Sequence, residues 1–203
     1  MSGSAEKQPE PTPVFEAAED WWHNAVVGYH RGNWAPYVDG YRTAADRLVE
    51  VAAADRAVLD AVIYPIVFLY RQYLELSLKA MIRDLDVLLE HNRDPPAGHR
   101  LPPLFDRFRS TFSEVFRNIG ESMPDVSRIA LVIDQFHVAD PGSVAFRYPT
   151  DKDGQPSQSY GHINVRVLRD RVAEVAEDLD GFLFALSVYQ DLRNEMLSDW
   201  DPR

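Results

Sequence analysis

Apolar residues recur at three- and four-residue spacing along most of this chain, and that period predicts helices. Phe15, Ala18, Trp22, Ala25, Val26 and Tyr29 mark a first helix over residues 14–30, closed by Arg31-Gly32-Asn33. A second spans residues 36–54, with Pro36 suited to its first turn and Tyr37, Tyr41, Ala44, Ala45, Leu48 and Val51 facing inward. Asp55 is the N-cap of a third helix over residues 56–90, in which Pro65 introduces a kink or begins the main segment. Apolar residues nearly surround this helix, which predicts a central position in a bundle. Four prolines and a glycine then enforce a loop over residues 91–103. Leu104, Phe105, Phe108, Phe112, Val115 and Phe116 form the apolar side of a fourth helix over residues 104–119, and Pro124 and Asp125 open a fifth over residues 124–137.

Residues 139–161 carry Pro, Gly, Ser and Asp at a density that forbids a helix, and the segment is long for a connection in a compact domain. Within it Val144 to Tyr148 reads as a short strand, paired with residues 162–165. A last helix covers residues 165–197, with Leu168, Val172, Val175, Leu179, Phe182, Leu183, Leu186 and Tyr189 in period. The sum is all-α: an antiparallel, up-and-down bundle of five or six helices with one long loop. Residues 1–13, rich in Ser, Glu, Gln and Pro, read as a disordered tail, and residues 14–200 as a single domain.

One polar line interrupts the apolar third helix. Arg71, Glu75 and Lys79 stand at four-residue intervals in YPIVFLYRQYLELSLKAMI, residues 64–82, so they share one face. Two readings follow. The line is a solvated ladder, Arg71 with Glu75 and Glu75 with Lys79, or Tyr70, Tyr73 and the aliphatic neighbours shield it, so that one cation is free to meet an anionic ligand or the Arg147 loop. That loop, FRYPTDKDG, has Pro149 holding Tyr148 extended, so Arg147 and Tyr148 are presented on a stiff turn. His99, in GHRLPPLF ahead of the fourth helix, has three roles open to it: a cap, a phosphate contact or a general acid–base near neutral pH. Trp21, Trp22, Tyr29 and Trp34 read as core or a dimer face, with base stacking as the alternative.

Composition narrows the functions. The 203 residues are 45% apolar and 26% charged, with 21 basic against 32 acidic residues and a net charge of −11. Such a balance opposes broad adhesion to nucleic acid or anionic membrane and leaves room only for a local basic site. Without cysteine, disulfides and thiolate metal sites are excluded, and a reducing cytoplasm is the expected compartment. The N-terminal residues carry no apolar run after a basic region, and no membrane association is expected. The six histidines lack zinc-binding spacing, and neither a glycine-rich phosphate loop nor a G-x-S-x-G elbow occurs, so no metal and no cofactor are expected.

Three motifs in order, Glu75-Leu76-Ser77-Leu78-Lys79, Gly98-His99-Arg100-Leu101 and Arg147-Tyr148-Pro149, resemble the HEPN superfamily of small helical bundles, whose name stands for higher eukaryote and prokaryote nucleotide-binding. The resemblance covers residues 63–149. It implies one of two activities. Many HEPN proteins are metal-independent ribonucleases of toxin–antitoxin or phage-defence modules, in which an arginine, a polar residue, four to six residues and a histidine form a site at a dimer interface. Others bind nucleotides or partner proteins. Arg93-Asp94 with His99 matches the nuclease spacing, as does Arg83-Asp84 with His91, but the family's usual C-terminal placement is absent: Arg193-Asn194 is followed by no histidine. The favoured expectation is a binding or interaction module in which Arg71, Glu75, Lys79, His99, Arg147 and Tyr148 form a polar site for an anionic ligand, RNA or nucleotide. The alternatives are a ribonuclease using Arg93 and His99, and a non-catalytic dimeric scaffold. The resemblance also implies a homodimer and a partner protein from the same operon.

Overall fold

The computed structural model describes residues 14–28, 32–94 and 96–199, without the side chains of residues 192–194 and 196–199. The expected tail over residues 1–13, and Tyr29 and His30 of the expected first helix, lie outside the described residues. Contacts divide the chain into two units, residues 1–33 and 34–203.

In the first unit the expected helix over residues 14–30 does not form. Only a 3-10 turn, Trp21–His23, is present, and Phe15, Trp22 and Val26 are exposed. Side chains compete for the backbone here. Asn24 accepts from the Ala18 amide at 2.9 Å and donates to the Ala18 carbonyl at 2.7 Å, closing a loop where a helix needs its own ladder. Asp20 meets His23 at 2.6 Å, and Trp21 and Trp22 stack at 4.1 Å between centroids.

The second unit is all-helical among its described residues: α1 (Ala35–Ala54), α2 (Arg56–Leu88), α3 (Leu101–Ile119), α4 (Ser127–Ala139) and α5 (Val165–Asp199). Local chemistry sets their ends. Asp55 accepts from the Ala57 amide at 2.9 Å and caps α2 as its position predicts. Pro65 lies within α2 without ending it, on an exposed side where water reaches the carbonyl its missing N–H leaves free. Prolines in the first turn let α3 begin at Leu101, three residues before the expected start. It closes at Gly120, whose φ of 76° is the left-handed conformation a C-terminal glycine supplies, with the Glu121 amide returning to the Phe116 carbonyl at 2.9 Å. Asp125 receives both the amide and the hydroxyl of Ser127 ahead of α4, and these bonds hold its carboxyl below the ordinary carboxylate range. Asn164 accepts the Arg166 and Val167 amides at the start of α5.

Contacts fix the chain directions. Arg83 stacks over Trp34 at 5.8 Å and Tyr70 donates to Asp46 at 2.6 Å, so α1 and α2 are antiparallel. Burial, followed by the Asp46 hydrogen bond, raises the Tyr70 phenol well above its usual range, and burial pushes Tyr73 up to about 12. Arg128 reaches Asp178, and α4 and α5 are likewise antiparallel. The alternation is interrupted once. The His99 carbonyl meets Arg71 while Arg107 meets Asp86, so α3 runs beside α2 in the same direction, and residues 89–100 carry the chain back to the level of Arg71.

The core lies between α2 and its neighbours. α2 buries Ile66, Tyr70, Leu74, Leu78, Met81, Ile82 and Leu85, whereas on α1 the buried positions are Ala45, Val49 and Ala52, and the expected Tyr37, Ala44 and Val51 are exposed. Along α3, Phe108 and Phe112 lie 5.3 Å apart, and Phe112 meets Phe182 of α5 at 4.9 Å. The expected strand at Val144–Tyr148 is absent among the described residues. Asp140 draws the Val144 and Ala145 amides into a turn at 2.7 and 3.1 Å, and an isolated bridge joins Thr150 to Pro156.

Phe108 is fully buried, and Phe108→Ala is expected to cost about 3–5 kcal/mol in urea unfolding, the usual loss for a core aromatic. Phe105→Ala, at the core's edge with Arg109 over its ring, is expected to cost less.

Candidate functional site

The polar line of α2 is buried. Arg71 is 0% and Glu75 1% exposed, so the solvated ladder is not what these residues form. Taking two charges out of water is costly unless every donor and acceptor is met, and the contacts show how this is done. Arg71 Nη1 donates to Glu75 Oε2 at 3.3 Å, Nη2 to the His99 carbonyl at 2.6 Å, and Nε to the Asp140 carbonyl at 3.1 Å. Asp140 Oδ2 lies 3.6 Å from the same Nε and has no hydrogen-bond partner, a charge contact only. Glu75 Oε1 takes Lys79 Nζ at 2.8 Å and His99 Nδ1 at 2.9 Å.

Sequence causes this geometry locally. The four-residue spacing stacks Arg71, Glu75 and Lys79 on one side of α2. Gly98, at φ +80°, turns the chain just before His99, the last residue but one ahead of α3. Asp140 is the residue at which α4 stops. Three segments therefore meet on one guanidinium.

The cluster has a buried end and a wet end. Lys79 is 11% exposed in its side chain and His99 72%, so the imidazole sits at the surface while its Nδ1 is fixed on a buried carboxylate. That contact makes Nδ1 the protonated nitrogen and leaves Nε2 facing outward, an acceptor in the neutral ring and a donor in the charged one. Arg71 and Lys79 balance Glu75 and Asp140, and protonation of His99 adds a net positive charge. Burial pushes the Glu75 carboxyl up, but the hydrogen bonds and charges of Lys79 and His99 outweigh it, and its pKa lies below the ordinary value.

The other expected site residues are placed differently. Arg147 Nε donates to the Ser143 carbonyl at 2.6 Å, and its guanidinium lies over Phe68 and Tyr148 at 5.7 and 5.5 Å. Among the described residues it is joined to the cluster through the backbone turn that Asp140 holds, and Tyr148 is 55% exposed. Arg93 belongs to a second cluster. Its Nη1 lies 3.4 Å from Asp86 and its Nη2 3.7 Å from Glu114, while Arg107 donates to Asp86 at 2.7 Å and His91 stands between the same two carboxylates. Among the described residues Arg93 and His99 share no partner. Arg83, of the other nuclease-like spacing, pairs with Asp84 beside it, while His91 joins the Asp86 cluster. Among the described residues, no three histidine or acidic side chains are gathered as metal ligands.

Asp140 was not among the expected residues. The signal available for it is Asp-Pro-Gly directly after a helical pattern, the composition of a helix stop whose carboxylate caps the following turn. Asp86 and Glu114 carry no such signal, because their meeting depends on α3 running alongside α2.

Comparison with protein-family models, curated proteins and solved structures finds no match.

Removal of the Glu75 charge leaves Arg71 buried with less compensation, so Glu75→Gln is expected to cost about 3–5 kcal/mol in urea unfolding. Lys79→Met, at the wet end, is expected to cost less. The folded pKa of Glu75 lies below its unfolded value of about 4.3. Its ionised form therefore stabilises the fold fully above that unfolded value, and the contribution is lost as pH falls through the folded value. Unfolding curves from about pH 6 downward are expected to converge for wild type and Glu75→Gln as the acid side chain titrates.

Proposed function

We propose that this chain is a HEPN-like binding module that takes an anionic, phosphate-bearing ligand such as a nucleotide or single-stranded RNA at the wet end of the Glu75 cluster. The reading rests on one observation: His99 is 72% exposed, yet its Nδ1 is held 2.9 Å from a carboxylate that is 1% exposed. Here the fold fixes the ring's orientation and leaves Nε2 to the solvent, with Lys79 on the same carboxylate and the exposed Arg100 next in sequence.

Charge favours the same class of ligand. The cluster is neutral with neutral His99 and positive with charged His99, so an approaching phosphate stabilises the protonated ring and is bound by it. The acidic remainder of the protein confines such binding to this spot, consistent with a compact ligand or a few nucleotides. Arg93 is engaged with Asp86 and Glu114, so the ribonuclease alternative rests on motif spacing alone. A place in a prokaryotic defence or toxin–antitoxin module, with a second copy or an operon partner, belongs to the resemblance.

The test is titration of the protein with fluorescently labelled short RNA and with mononucleotides, at pH 6 and pH 8. Tighter binding at the lower pH is expected, with a loss of about tenfold or more in His99→Ala, the scale of one charge-assisted hydrogen bond. RNA is expected to remain intact. Chelator-resistant cleavage that an Arg93→Ala/His99→Ala double variant loses moves the protein to the ribonuclease class, and absence of any binding by the wild type removes the proposal.

A further inference from the structure

A second region of the same unit has a different chemistry. Helices α2, α4 and α5 and the long α4–α5 loop enclose a cavity of about 350 Å³, within the range that holds small molecules. Its floor is buried and apolar: Val67, Phe136 and Phe146 are 4%, 6% and 5% exposed. Its mouth is apolar and wet, with Tyr160 48% exposed. None of Arg71, Glu75, Lys79 and His99 lines it.

Among the described residues one charged side chain lies in the wall. Arg171, in the second turn of α5, donates through Nη1 to both oxygens of Glu174, at 3.0 and 2.9 Å. Its Nε and Nη2 have no partner among the described residues. These two N–H groups form the edge of a guanidinium that matches a carboxylate bidentately. The Arg171 side chain is 62% exposed, so it stands at the rim, and an apolar chamber with a cationic edge at its rim is complementary to a molecule with an apolar body and one acidic end.

We propose that this cavity is a binding site for a small amphipathic carboxylate, an alkyl or aryl acid, whose hydrocarbon part fills the space against Phe136 and Phe146 and whose carboxylate meets Nε and Nη2 of Arg171. The loop is part of the site. Phe146 reaches the cavity because Asp140 holds the Val144 and Ala145 amides, so the wall is built by a turn and not by a strand.

The 203-residue chain is titrated calorimetrically with decanoate, decanol and decyltrimethylammonium. Decanoate is expected to bind about tenfold or more tightly than decanol, the scale of a charge-assisted hydrogen bond, and the cationic amphiphile not at all. In Arg171→Gln decanoate falls to the level of decanol, while decanol binding is unchanged. Ala139→Trp places an indole in the cavity and removes binding of both, with retained thermal unfolding showing that the variant is folded. If Ala139→Trp does not fold, Val167→Trp at the exposed mouth serves the same purpose. Absence of decanoate binding, equal binding of the three amphiphiles, or binding that survives a folded cavity-filling variant overturns the proposal.

Discussion

The second unit depends on the burial of one guanidinium. Arg71 sits at 0% exposure in an apolar helix, a position that by itself costs several kcal/mol, and it is tolerable only because α2, the segment before α3 and the end of α4 each supply an oxygen. Two of those three oxygens are backbone carbonyls. Side-chain variation at residues 99 and 140 therefore leaves much of the support in place, whereas a shift of either segment withdraws it. The planar guanidinium, with donors in fixed directions, suits such a junction better than an ammonium. The result is a geometric specification: these segments fit together in one register.

Asp140 extends that specification outward. Its carbonyl serves Arg71, its Oδ1 takes two amides of the following turn, and that turn places both Phe146 in the cavity wall and Arg147 over Phe68. The loop is thus continuous with the core's polar junction. A buried charge on α2 and an apolar chamber between α4 and α5 are linked by a single acidic residue at a helix end.

Much of this was legible in the sequence. Helical period located α1 through α5 to within a few residues, because long amphipathic stretches with prolines at their starts leave little choice, and the break in pattern at Arg71, Glu75 and Lys79 singled out the polar line without deciding between a solvated ladder and a shielded one. What escaped was tertiary. The residue 14–28 segment has helical spacing but no packed face, and Asn24 turned its backbone into a loop instead. The inward face of α1 was read correctly at Ala45, Tyr41 and Leu48, but Tyr37 and Val51 were drawn into it by their size, whereas Val49 and the small Ala52 hold the buried places. Arg93 and His99 are six positions apart in the chain yet serve different carboxylates, since the chain between them climbs back along α2. No spacing rule reveals that return.

The parallel course of α2 and α3 also governs the order of assembly. Arg71 reaches partners 28 and 69 positions further along the chain, so during synthesis its junction closes in stages. While only α1 and α2 exist, their hairpin can pack, but Arg71 has just Glu75, one turn away on its own helix. The His99 carbonyl arrives with α3, and the last oxygen only when α4 has been made and has ended. Until that moment α2, the helix that supplies most of the core, carries an incompletely satisfied charge, and closing the core over it is correspondingly costly. The burial that makes the finished unit specific is thus a step that the nascent chain must postpone.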